Sequence, residues 1–188
     1  MNSCRTLTGH TAVTPEEFDR AFRSFKRSAF RLETLPRYRV GGEDESIARF
    51  LAGEEPPPPN EGKRAWTDLI RSNVAASKRM HRVHLIRGPL TDYLRWEIEW
   101  GYPPNVEAGE EVGILDVQEN DLPELGTEDF WLFDDELAVR MAYDPEGHWL
   151  AAEAVSDPDF VGDCRRKREI SVSMAVPLHE YLRKAGAT

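Results

Sequence analysis

The sequence is poor in cysteine and has no long hydrophobic run. Its 188 residues include only two cysteines, Cys4 and Cys164, too few for a disulfide framework, so a reducing cytoplasm is the expected setting. No run of about 18 apolar residues occurs, which argues against a membrane-spanning helix, and the first residues lack the basic start and apolar block of a secretory signal. We expect one cytoplasmic domain over residues 1–188, with a loose tail over residues 1–13.

The sequence also lacks the motifs of common metal, nucleotide and nucleophile sites. It contains no CxxC, HExxH, GxxxxGK[ST], GxGxxG or GxSxG. Of its five histidines, His81 and His84 are three residues apart, and on a predicted strand this spacing places them on opposite faces. Cys164 lies beside basic residues that can lower a thiol pKa, although a small core residue is the commoner role. We expect no metal site and no cofactor.

Charge is distributed unevenly along the chain. Residues 1–90 carry 16 Lys and Arg against 11 Asp and Glu, whereas residues 91–188 carry 8 against 23, for a net charge of −10. The most acidic segment is 92–136, where Arg95 is the only basic residue beside 15 carboxylates. Oppositely charged segments that face each other in the fold explain this pattern, and so does a basic surface for phosphate or an acidic partner.

Two segments are basic instead. Residues 20–39 and 63–87 each hold seven basic residues and one acid. Neither is a continuous basic run with interleaved aromatics, so binding of DNA or tRNA through them is a minor alternative. The candidates for contacting phosphate or an acidic partner are Arg23, Arg27, Arg31, Arg79 and Arg82.

Helix and strand patterns are clear along most of the chain. Thr14 and Glu17 form a capping box around Pro15, and an apolar stripe at helical spacing follows to Phe25. Gly186 is expected to end the last helix. Further helices are expected at residues 45–51, 66–77, 91–100 and 158–175, and extended segments at residues 29–40, 81–87 and 112–117.

The strongest pattern is a three-stranded β-meander over residues 129–154. The strands "DFWLF", "LAVRMAY" and "HWLAAEAV" are joined by residues typical of tight turns. The predicted fold class is α+β, a mostly antiparallel sheet that includes this C-terminal three-stranded meander, with helices packed against it. The stretch "GEEPPPPNEG", residues 53–62, predicts a proline-rich surface connector.

The stretch "PLTDYLRWEIEW", residues 89–100, combines aromatic, acidic and basic side chains. Thr91 is a suitable N-cap, so we expect an amphipathic helix that packs on the meander. Its aromatic side chains can belong to a core or line a pocket, and paired acids can serve acid–base chemistry or follow from the density of carboxylates alone. No catalytic residue is assigned; the ligand-pocket candidates are Tyr93, Arg95, Trp96, Glu97, Trp131, Asp134, Asp135 and Tyr143.

Five blocks cover most of the chain: "AFRLETLPRY", "HRVHLIRGPLTDYLRWE", "VEAGEEVGILD", "DFWLFDDELAVRMAYD" and "PLHEYL". In these blocks the sequence resembles an actinobacterial family of about this length, described as domain of unknown function 6879, whose members often neighbour helix-turn-helix regulators. The resemblance implies a cytoplasmic bacterial setting and a helix-turn-helix regulator as partner. It implies no catalytic residue.

The sequence therefore predicts a non-catalytic regulatory or protein-interaction module of a bacterial regulatory system. An alternative stays open, a small-ligand-binding protein or enzyme with an aromatic and acidic pocket, acting on a nucleotide- or tRNA-linked substrate. Both interpretations share an acidic α+β domain without a cofactor.

Overall fold

The computed structural model describes residues 10–39, 41–118 and 121–185, and of His10 only the backbone. These residues form one eight-stranded sheet with helices on both faces. The strands are β1 (His10–Ala12), β2 (Ser28–Glu33), β3 (Arg79–Arg87), β4 (Glu111–Val117), β5 (Asp129–Phe133), β6 (Leu137–Tyr143), β7 (Trp149–Val155) and β8 (Val176–Pro177).

Seven α-helices are present in the described residues: α1 (Pro15–Ser24), α2 (Asp44–Leu51), α3 (Glu61–Ala75), α4 (Asp92–Trp96), α5 (Pro103–Glu107), α6 (Pro158–Met174) and α7 (Leu178–Ala185). A π-helical segment, Glu97–Gly101, directly continues α4. A single 3-10 turn, Pro123–Leu125, precedes β5.

The sheet is mixed, with the strand order β1-β7-β6-β5-β2-β3-β4-β8. Its centre, β2-β3-β4, is parallel, and the remaining neighbours are antiparallel. The predicted α+β class is confirmed, but the sheet is mixed around a parallel centre and not the mostly antiparallel sheet that was predicted. Helices α2 and α3 connect β2 to β3, and α4, the π-helical segment and α5 connect β3 to β4; such crossovers return the chain to the same end of the sheet.

The strands expected over residues 129–154 are β5, β6 and β7. They do not form a separate C-terminal unit, because β5 pairs with β2 and so extends the parallel centre, and α6, β8 and α7 follow them. The β5–β6 turn has Asp134 and Asp135 in the left-handed region, with φ of 54° and 64°, as hairpin turns require.

Local signals place several helix starts. The Glu17 backbone N–H donates to Thr14 Oγ1 at 3.2 Å, and the Thr14 N–H donates to the Glu17 carboxylate at 2.9 Å, which is the expected capping box. The Leu94 N–H donates to Thr91 Oγ1 at 3.1 Å at the start of α4. Residues 54–60, with the four prolines, have no regular secondary structure and lead directly into α3.

Part of the expected N-terminal tail is a strand. Residues 10–12 form β1, antiparallel to residues 153–155 of β7. Residues 1–9, with Cys4, lie outside the described residues, as does Gly186. Across the described ranges, no helix combines the length and the apolar character that crossing a bilayer needs.

Successive side chains of the strands alternate between the two faces of the sheet. One face, which we call the α6 face, is apolar: Phe30, Leu32, Val83 and Leu85 pack there with Cys164 of α6. Because these positions are every second residue of β2 and β3, the residues between them point to the opposite face.

The opposite face is covered by helices at both of its ends. Phe22 of α1 and Ile70 of α3 pack on Trp131 and Phe133. Helices α2, α4 and α7 share a second apolar cluster with strands β3 and β4. Between these two apolar regions the face is charged, and this is where the candidate site lies.

Candidate functional site

A cluster of charged side chains is buried at the centre of the opposite face. Strands β2, β3 and β5 supply five of them, the π-helical segment one, and the turn before β4 one. Each is at most 8% exposed, which is rare for charged residues unless they are paired. We call these seven residues the buried charge cluster: Arg31, Glu33, Arg82, His84, Glu97, Glu110 and Asp129.

Arg82 joins two of the carboxylates. Its Nε donates to Glu110 Oε1 at 2.8 Å, and its Nη1 donates to both oxygens of Glu33 at 3.1 and 3.2 Å. Asn105 Nδ2 donates to the other oxygen of Glu110 at 2.8 Å. Burial alone would raise the pKa of Glu33, but the charges of Arg82 and Arg31 outweigh it and lower the pKa to about 2, so Glu33 is ionised.

Arg31 and Asp129 form the second pair. Arg31 Nη2 donates to Asp129 Oδ2 at 2.7 Å and to the Tyr143 hydroxyl at 3.0 Å. Asp129 also accepts from the Tyr38 hydroxyl at 2.5 Å, and from the backbone N–H and the hydroxyl of Thr34 at 2.9 and 2.7 Å. Arg31 Nη1 is buried without a hydrogen-bond partner among the described residues.

The hydrogen bonds of His84 define its protonation state. Its Nε2 lies 3.0 Å from the Leu35 carbonyl oxygen, which only accepts, so Nε2 carries a proton. Its Nδ1 lies 2.6 Å from the Tyr102 hydroxyl, which itself donates to the ionised Glu33 at 2.8 Å. Because the tyrosine proton is already used, Nδ1 must also be a donor. His84 is therefore an imidazolium, held inside the protein at 1% exposure.

Electrostatics agrees with this assignment. Burial by itself would lower the pKa of His84, but the hydrogen bond and charge of Glu97, the charge of Glu33 and the Leu35 carbonyl together raise the pKa above its usual 6.5. The nearer of the two carboxylates is Glu97, whose Oε2 lies 3.4 Å from His84 Nδ1, against 4.0 Å for Glu33. The cluster thus holds three cations and four carboxylates.

The carboxylate Glu97 connects the cluster to its border. Its Oε1 accepts from the Tyr93 hydroxyl at 3.1 Å, while its Oε2 makes only the 3.4 Å ionic contact with His84 Nδ1 within the part of the chain that is described. Glu43, at the N-cap position of α2, has a buried oxygen without a hydrogen-bond partner among the described residues. Burial, and then the negative charge of Glu97, raise the pKa of Glu43 to about 8. Lys63 lies at the same border and donates to the Gly101 carbonyl at 2.5 Å.

Replacing Glu43 by glutamine is expected to change how stability depends on pH. The pKa of Glu43 is higher in the folded chain, about 8, than its usual 4.5. Between these two pH values the carboxyl is ionised in the unfolded chain and must take up a proton on folding, so folding becomes less favourable as pH rises from about 4.5 to 8. Because one pKa unit is worth about 1.4 kcal/mol and the group is partly exposed, we expect E43Q to be more stable than wild type by about 2 kcal/mol at pH 8. At pH 5 the two should match in urea denaturation. A constant difference between pH 5 and pH 8 would contradict the buried position of this carboxyl.

The structure brings four of the predicted pocket residues together. Tyr93 packs on Trp96, with 5.5 Å between ring centroids, and Glu97 accepts from Tyr93. Tyr38 links them to Tyr143, its ring lying 6.2 Å from Tyr93 and 5.1 Å from Tyr143. Tyr93, Trp96 and Glu97 are buried beneath α2 and Tyr143 is half-buried, so these residues border the buried charge cluster.

The other four pocket candidates lie elsewhere. Trp131 packs in the apolar region under α1, 4.7 Å from Phe22 between ring centroids, because the 89–100 helix packs on β3 and β4 rather than over β5. Its ring also borders the buried charge cluster, since the guanidinium groups of Arg31 and Arg82 lie 5.8 and 5.9 Å from its centroid. Arg95 is exposed and pairs with Asp92 at 3.3 Å. Asp134 and Asp135 both lie in the β5–β6 turn.

The two turn aspartates fasten neighbouring segments. Asp134 accepts from the backbone N–H groups of Lys26, Arg27 and Ser28 at 2.8, 2.6 and 3.0 Å. Burial would raise its pKa, but these three hydrogen bonds lower it. Asp135 contacts Arg168 of α6. Their side chains are therefore used to hold α1 and α6 onto the sheet.

The five basic candidates do not form one surface. Arg31 and Arg82 are buried in the charge cluster. Arg23 is exposed and pairs with Asp19 at 2.7 Å, and Arg27 is exposed and pairs with Glu136 at 3.2 Å. Arg79 is half-exposed and pairs with Glu111 at 2.7 Å.

The site candidates chosen from the sequence do not include four of the seven cluster residues, Glu33, His84, Glu110 and Asp129, or Tyr102, whose hydroxyl donates to Glu33. A signal was present in "FRLE" and "HRVHL", where charged residues occupy every second position of strands that are otherwise apolar. Because predicted helices precede and follow these strands along the chain, the alternation predicts charged side chains on a face of the sheet that helices cover.

The structure also bears on two other candidate chemistries, a reactive Cys164 thiol and a metal site at His81 and His84. Cys164 is 1% exposed on the α6 face, and burial raises the pKa of its thiol to about 12, so it is a core residue and a poor nucleophile. His81 and His84 lie on opposite faces of β3. Within residues 10–39, 41–118 and 121–185, no three His, Cys, Asp or Glu side chains converge as a metal site would need.

The chemistry of the buried charge cluster is constrained by its lack of access. A histidinium, a carboxylate and a tyrosine hydroxyl in one hydrogen-bonded chain can transfer protons in principle. However, none of the seven residues exceeds 8% exposure, and their groups mostly satisfy one another. The arrangement is that of an internal ion-pair network that links strands β2, β3 and β5 to the π-helical segment and to the turn before β4.

Comparison with known protein families gives a match over most of the chain. The profile of the family described as "Domain of unknown function (DUF6879)" matches residues 16–183. The chain belongs to this family. A comparison with curated proteins finds no match.

Three bacterial proteins of solved structure are among those similar to this chain. The first is Nuc, a phospholipase D family member from Salmonella typhimurium, with a TM-score of 0.52, 7% identity, and coverage of 89% of this DUF6879 chain and 96% of Nuc. NucT from Helicobacter pylori has a TM-score of 0.49 at 11% identity, covering 89% of this chain and 98% of NucT. Phosphatidylserine synthase from Haemophilus influenzae has a TM-score of 0.44 at 10% identity, covering 89% of this chain but 38% of the synthase. At these identities the likeness to Nuc concerns the fold alone.

Proposed function

We propose that the chain is a non-catalytic protein-interaction module of a bacterial regulatory system, acting in the cytoplasm. The observation that carries the proposal is a pair of exposed apolar side chains on an uncovered strand edge, Trp149 and Leu150 of β7. They are 47% and 62% exposed. The regulatory setting, and a helix-turn-helix regulator as the partner, rest on the resemblance seen in the sequence.

The geometry of β7 supports this role. Strand β1 pairs only with residues 153–155 of β7, and the Val13 N–H donates to the Ala152 carbonyl at 2.8 Å. The chain then turns into α1, and the Arg39 backbone bridges to His148 just before β7, so the free stretch of β7 in the part of the structure described is the short segment 149–151 between these two contacts. Exposed strand edges are usually blocked by charge, proline or a covering element, whereas an edge with large apolar side chains is suited to binding another chain.

The position of the acid–base groups also supports a non-catalytic role. The groups that could act as acid, base or electrophile are concentrated in the buried charge cluster, and helices cover them. The eight residues considered for an aromatic and acidic pocket are spread over the cluster border, the α1 core, a helix surface and a turn. The four that do meet, Tyr93, Trp96, Glu97 and Tyr143, are buried or half-buried, which does not favour the enzyme alternative. Nuc, a phospholipase D family member, is similar in fold at 7% identity, and we do not extend its activity to this chain.

Changing Leu150 to aspartate is expected to weaken partner binding without unfolding the protein. A charge on an exposed edge has little effect on stability but opposes both apolar contact and strand pairing there. We expect tagged L150D, isolated from its own host in parallel with wild type, to co-purify at most one-tenth as much partner. This corresponds to a loss of about 1.4 kcal/mol of binding free energy. The measurement is quantitative mass spectrometry of the co-purified regulator.

The matched control is Leu51→Asp at the end of α2. Leu51 is also apolar and 53% exposed, so L51D introduces the same charge on a different surface. We expect it to co-purify the partner as wild type does. Equal loss in both variants, or a wild-type protein that is monomeric and without a partner in its host, would reject the proposal.

A further inference from the structure

An open groove lies at the end of the sheet far from β7. Its volume is about 460 Å³, within the usual range for small-molecule sites. The walls are formed by the beginnings of β3 and β4, the end of α6 and the start of α7. Strand β8 pairs with β4 only at Gly113 and Ile114, so the start of β4 stays uncovered there. We call this space the edge groove.

A buried histidine lines the edge groove without a hydrogen-bond partner. His81 is 4% exposed, its ring packs on Phe30 with 4.9 Å between centroids, and no described residue hydrogen-bonds to its nitrogens. Since the ring lines the groove, what remains accessible of it faces that space. The ring nitrogens therefore meet the space of the groove, where a bound molecule can form a hydrogen bond with them.

His81 is a neutral imidazole. Burial, and then the positive charge of Arg79, lower its pKa to about 4. A neutral ring offers one N–H donor and one acceptor nitrogen. It therefore fits an uncharged hydrogen-bonding group better than a carboxylate, which would need two donors or a positive charge.

The charges at the rim of the edge groove compensate one another. Arg79 Nε and Nη2 donate to the two oxygens of Glu111 at 2.9 and 2.7 Å. This hydrogen-bonded pairing is the main cause that raises the pKa of Arg79 and lowers the pKa of Glu111, so both stay charged. Arg82 and Glu110, which also line the groove, are bound to each other at 2.8 Å. No unpaired charge faces the ligand from these four residues.

The remaining walls are mostly apolar. They include Val83 of β3, Val172 of α6, Ala175 at the C-cap of α6 and Leu178 of α7, and a second histidine, His179, also lines the groove. A mostly apolar lining with a few polar groups that fix orientation is the usual composition of a small-molecule pocket.

We propose that the edge groove binds an uncharged small molecule with an apolar body and one N–H or O–H group that donates to the ring of His81. This inference goes beyond the proposed interaction role and does not depend on it, because the groove adjoins β4 and β8 whereas Trp149 and Leu150 lie on β7, near the other end of the strand order.

The test uses indole as the probe, because it is uncharged, apolar and carries one N–H. We expect a titration of the full-length protein, followed by NMR, to move the ring ¹⁵N signals of His81 and the amide signals of Val172 and Ala175. Indole-3-acetate has the same body with a negative charge, and we expect it to bind at least tenfold more weakly.

Two variants distinguish the contribution of His81 to indole binding from that of the groove as a whole. His81→Phe keeps the ring volume and the contact with Phe30 but removes the nitrogens, and it should weaken indole binding at least tenfold. Val172→Phe narrows the groove from its half-buried wall and should weaken binding even if H81F does not fold. His148→Phe changes an exposed histidine in the β6–β7 turn and should leave the affinity unchanged.

Three results would overturn the inference: no movement of the His81 signals up to saturating indole, unchanged affinity in both H81F and V172F, or tighter binding of indole-3-acetate than of indole. Because L150D concerns the other end of the sheet, loss of the partner in that variant with normal indole binding would keep the two proposals distinct.

Discussion

Replacing Arg82 by methionine is expected to destabilise the protein by about 3–5 kcal/mol, the usual effect of removing one partner from a buried ion pair. Methionine keeps most of the aliphatic volume that packs beside Tyr102 and Trp131, so the loss isolates the charge. In R82M, Glu33 and Glu110 lose their shared cation at 7% and 1% exposure. Urea denaturation should show a lower midpoint with an unchanged m-value.

The same strand provides a matched control. Arg79 also pairs with a glutamate, Glu111 at 2.7 Å, but their side chains are 47% and 60% exposed. Such surface pairs contribute about 0–1 kcal/mol, so R79M should stay within that range. If R82M and R79M were equally mild, the buried charge cluster would not be holding the helices on the sheet.

A second substitution tests whether the loss comes from unpaired charge. Adding Glu110→Gln to R82M removes one of the carboxylates left without a cation. Because an uncompensated buried charge is the main source of the loss, the double variant should recover part of the stability. A double variant less stable than R82M would indicate that lost hydrogen bonds, such as the one from Asn105 at 2.8 Å, dominate instead.

Elements defined by neighbouring residues could be predicted from the sequence. The capping box at Thr14 and Glu17, the N-cap at Thr91, the helix stripes and the alternating strands depend on spacing along one segment, and all are present. The β5–β6 turn was also evident, since consecutive aspartates tolerate the left-handed backbone that a tight hairpin needs.

Strand partners could not be predicted in the same way. Whether β2 lies beside β3 or another strand is a choice between distant segments, and the strong pattern of the three strands at 129–154 favoured a mostly antiparallel sheet. The helices between β2, β3 and β4 indicate a parallel arrangement only when each is taken as a crossover. The meander pattern was the stronger signal, and it determined the predicted sheet type.

The candidate site was missed for a related reason. A charged residue on a strand is exposed or buried according to what covers that face, and the cover comes from helices far away in sequence. Glu33 is the last residue of β2, whereas the groups that make its burial tolerable, Arg82 and Tyr102, come 49 and 69 residues later. The uneven distribution of charge could be read from the sequence. One of its two explanations, that basic and acidic segments face each other in the fold, holds in part, because Arg82 of the basic segment 63–87 pairs with Glu110 of the acidic segment 92–136.

His84→Phe is expected to reduce stability by about 3 kcal/mol at pH 6, and by less at higher pH. Phenylalanine keeps an aromatic ring between Tyr38 and Tyr102, whose ring centroids lie 5.9 and 6.2 Å from that of His84. What it removes is the positive charge 3.4 Å from Glu97. At pH 6 wild-type His84 is an imidazolium, so the variant leaves Glu97 and Glu33 without this cation.

The pH dependence has a definite sign. The pKa of His84 is raised in the folded chain above its usual 6.5, so its stabilising contribution is complete below pH 6.5 and is lost as pH rises through the folded-state pKa. Wild type therefore approaches H84F in stability as the solution becomes more alkaline. Glu43, with a pKa of about 8, also lowers stability over this range, so both proteins should carry Glu43→Gln.

In that background, urea denaturation between pH 6 and pH 9 should show a stability difference between the proteins with and without H84F that narrows with rising pH. Ring ¹⁵N NMR gives an independent readout, since both nitrogens of His84 should be protonated at pH 6. A difference that stays constant or widens, or a neutral ring at pH 6, would refute the imidazolium assignment. The proton on Nδ1 follows from the chain Leu35–His84–Tyr102–Glu33, in which the single tyrosine proton cannot satisfy two acceptors. If Nδ1 had no proton, the Tyr102 hydroxyl would have to donate to His84. The hydroxyl oxygen would then face the Glu33 carboxylate at 2.8 Å without a proton between them.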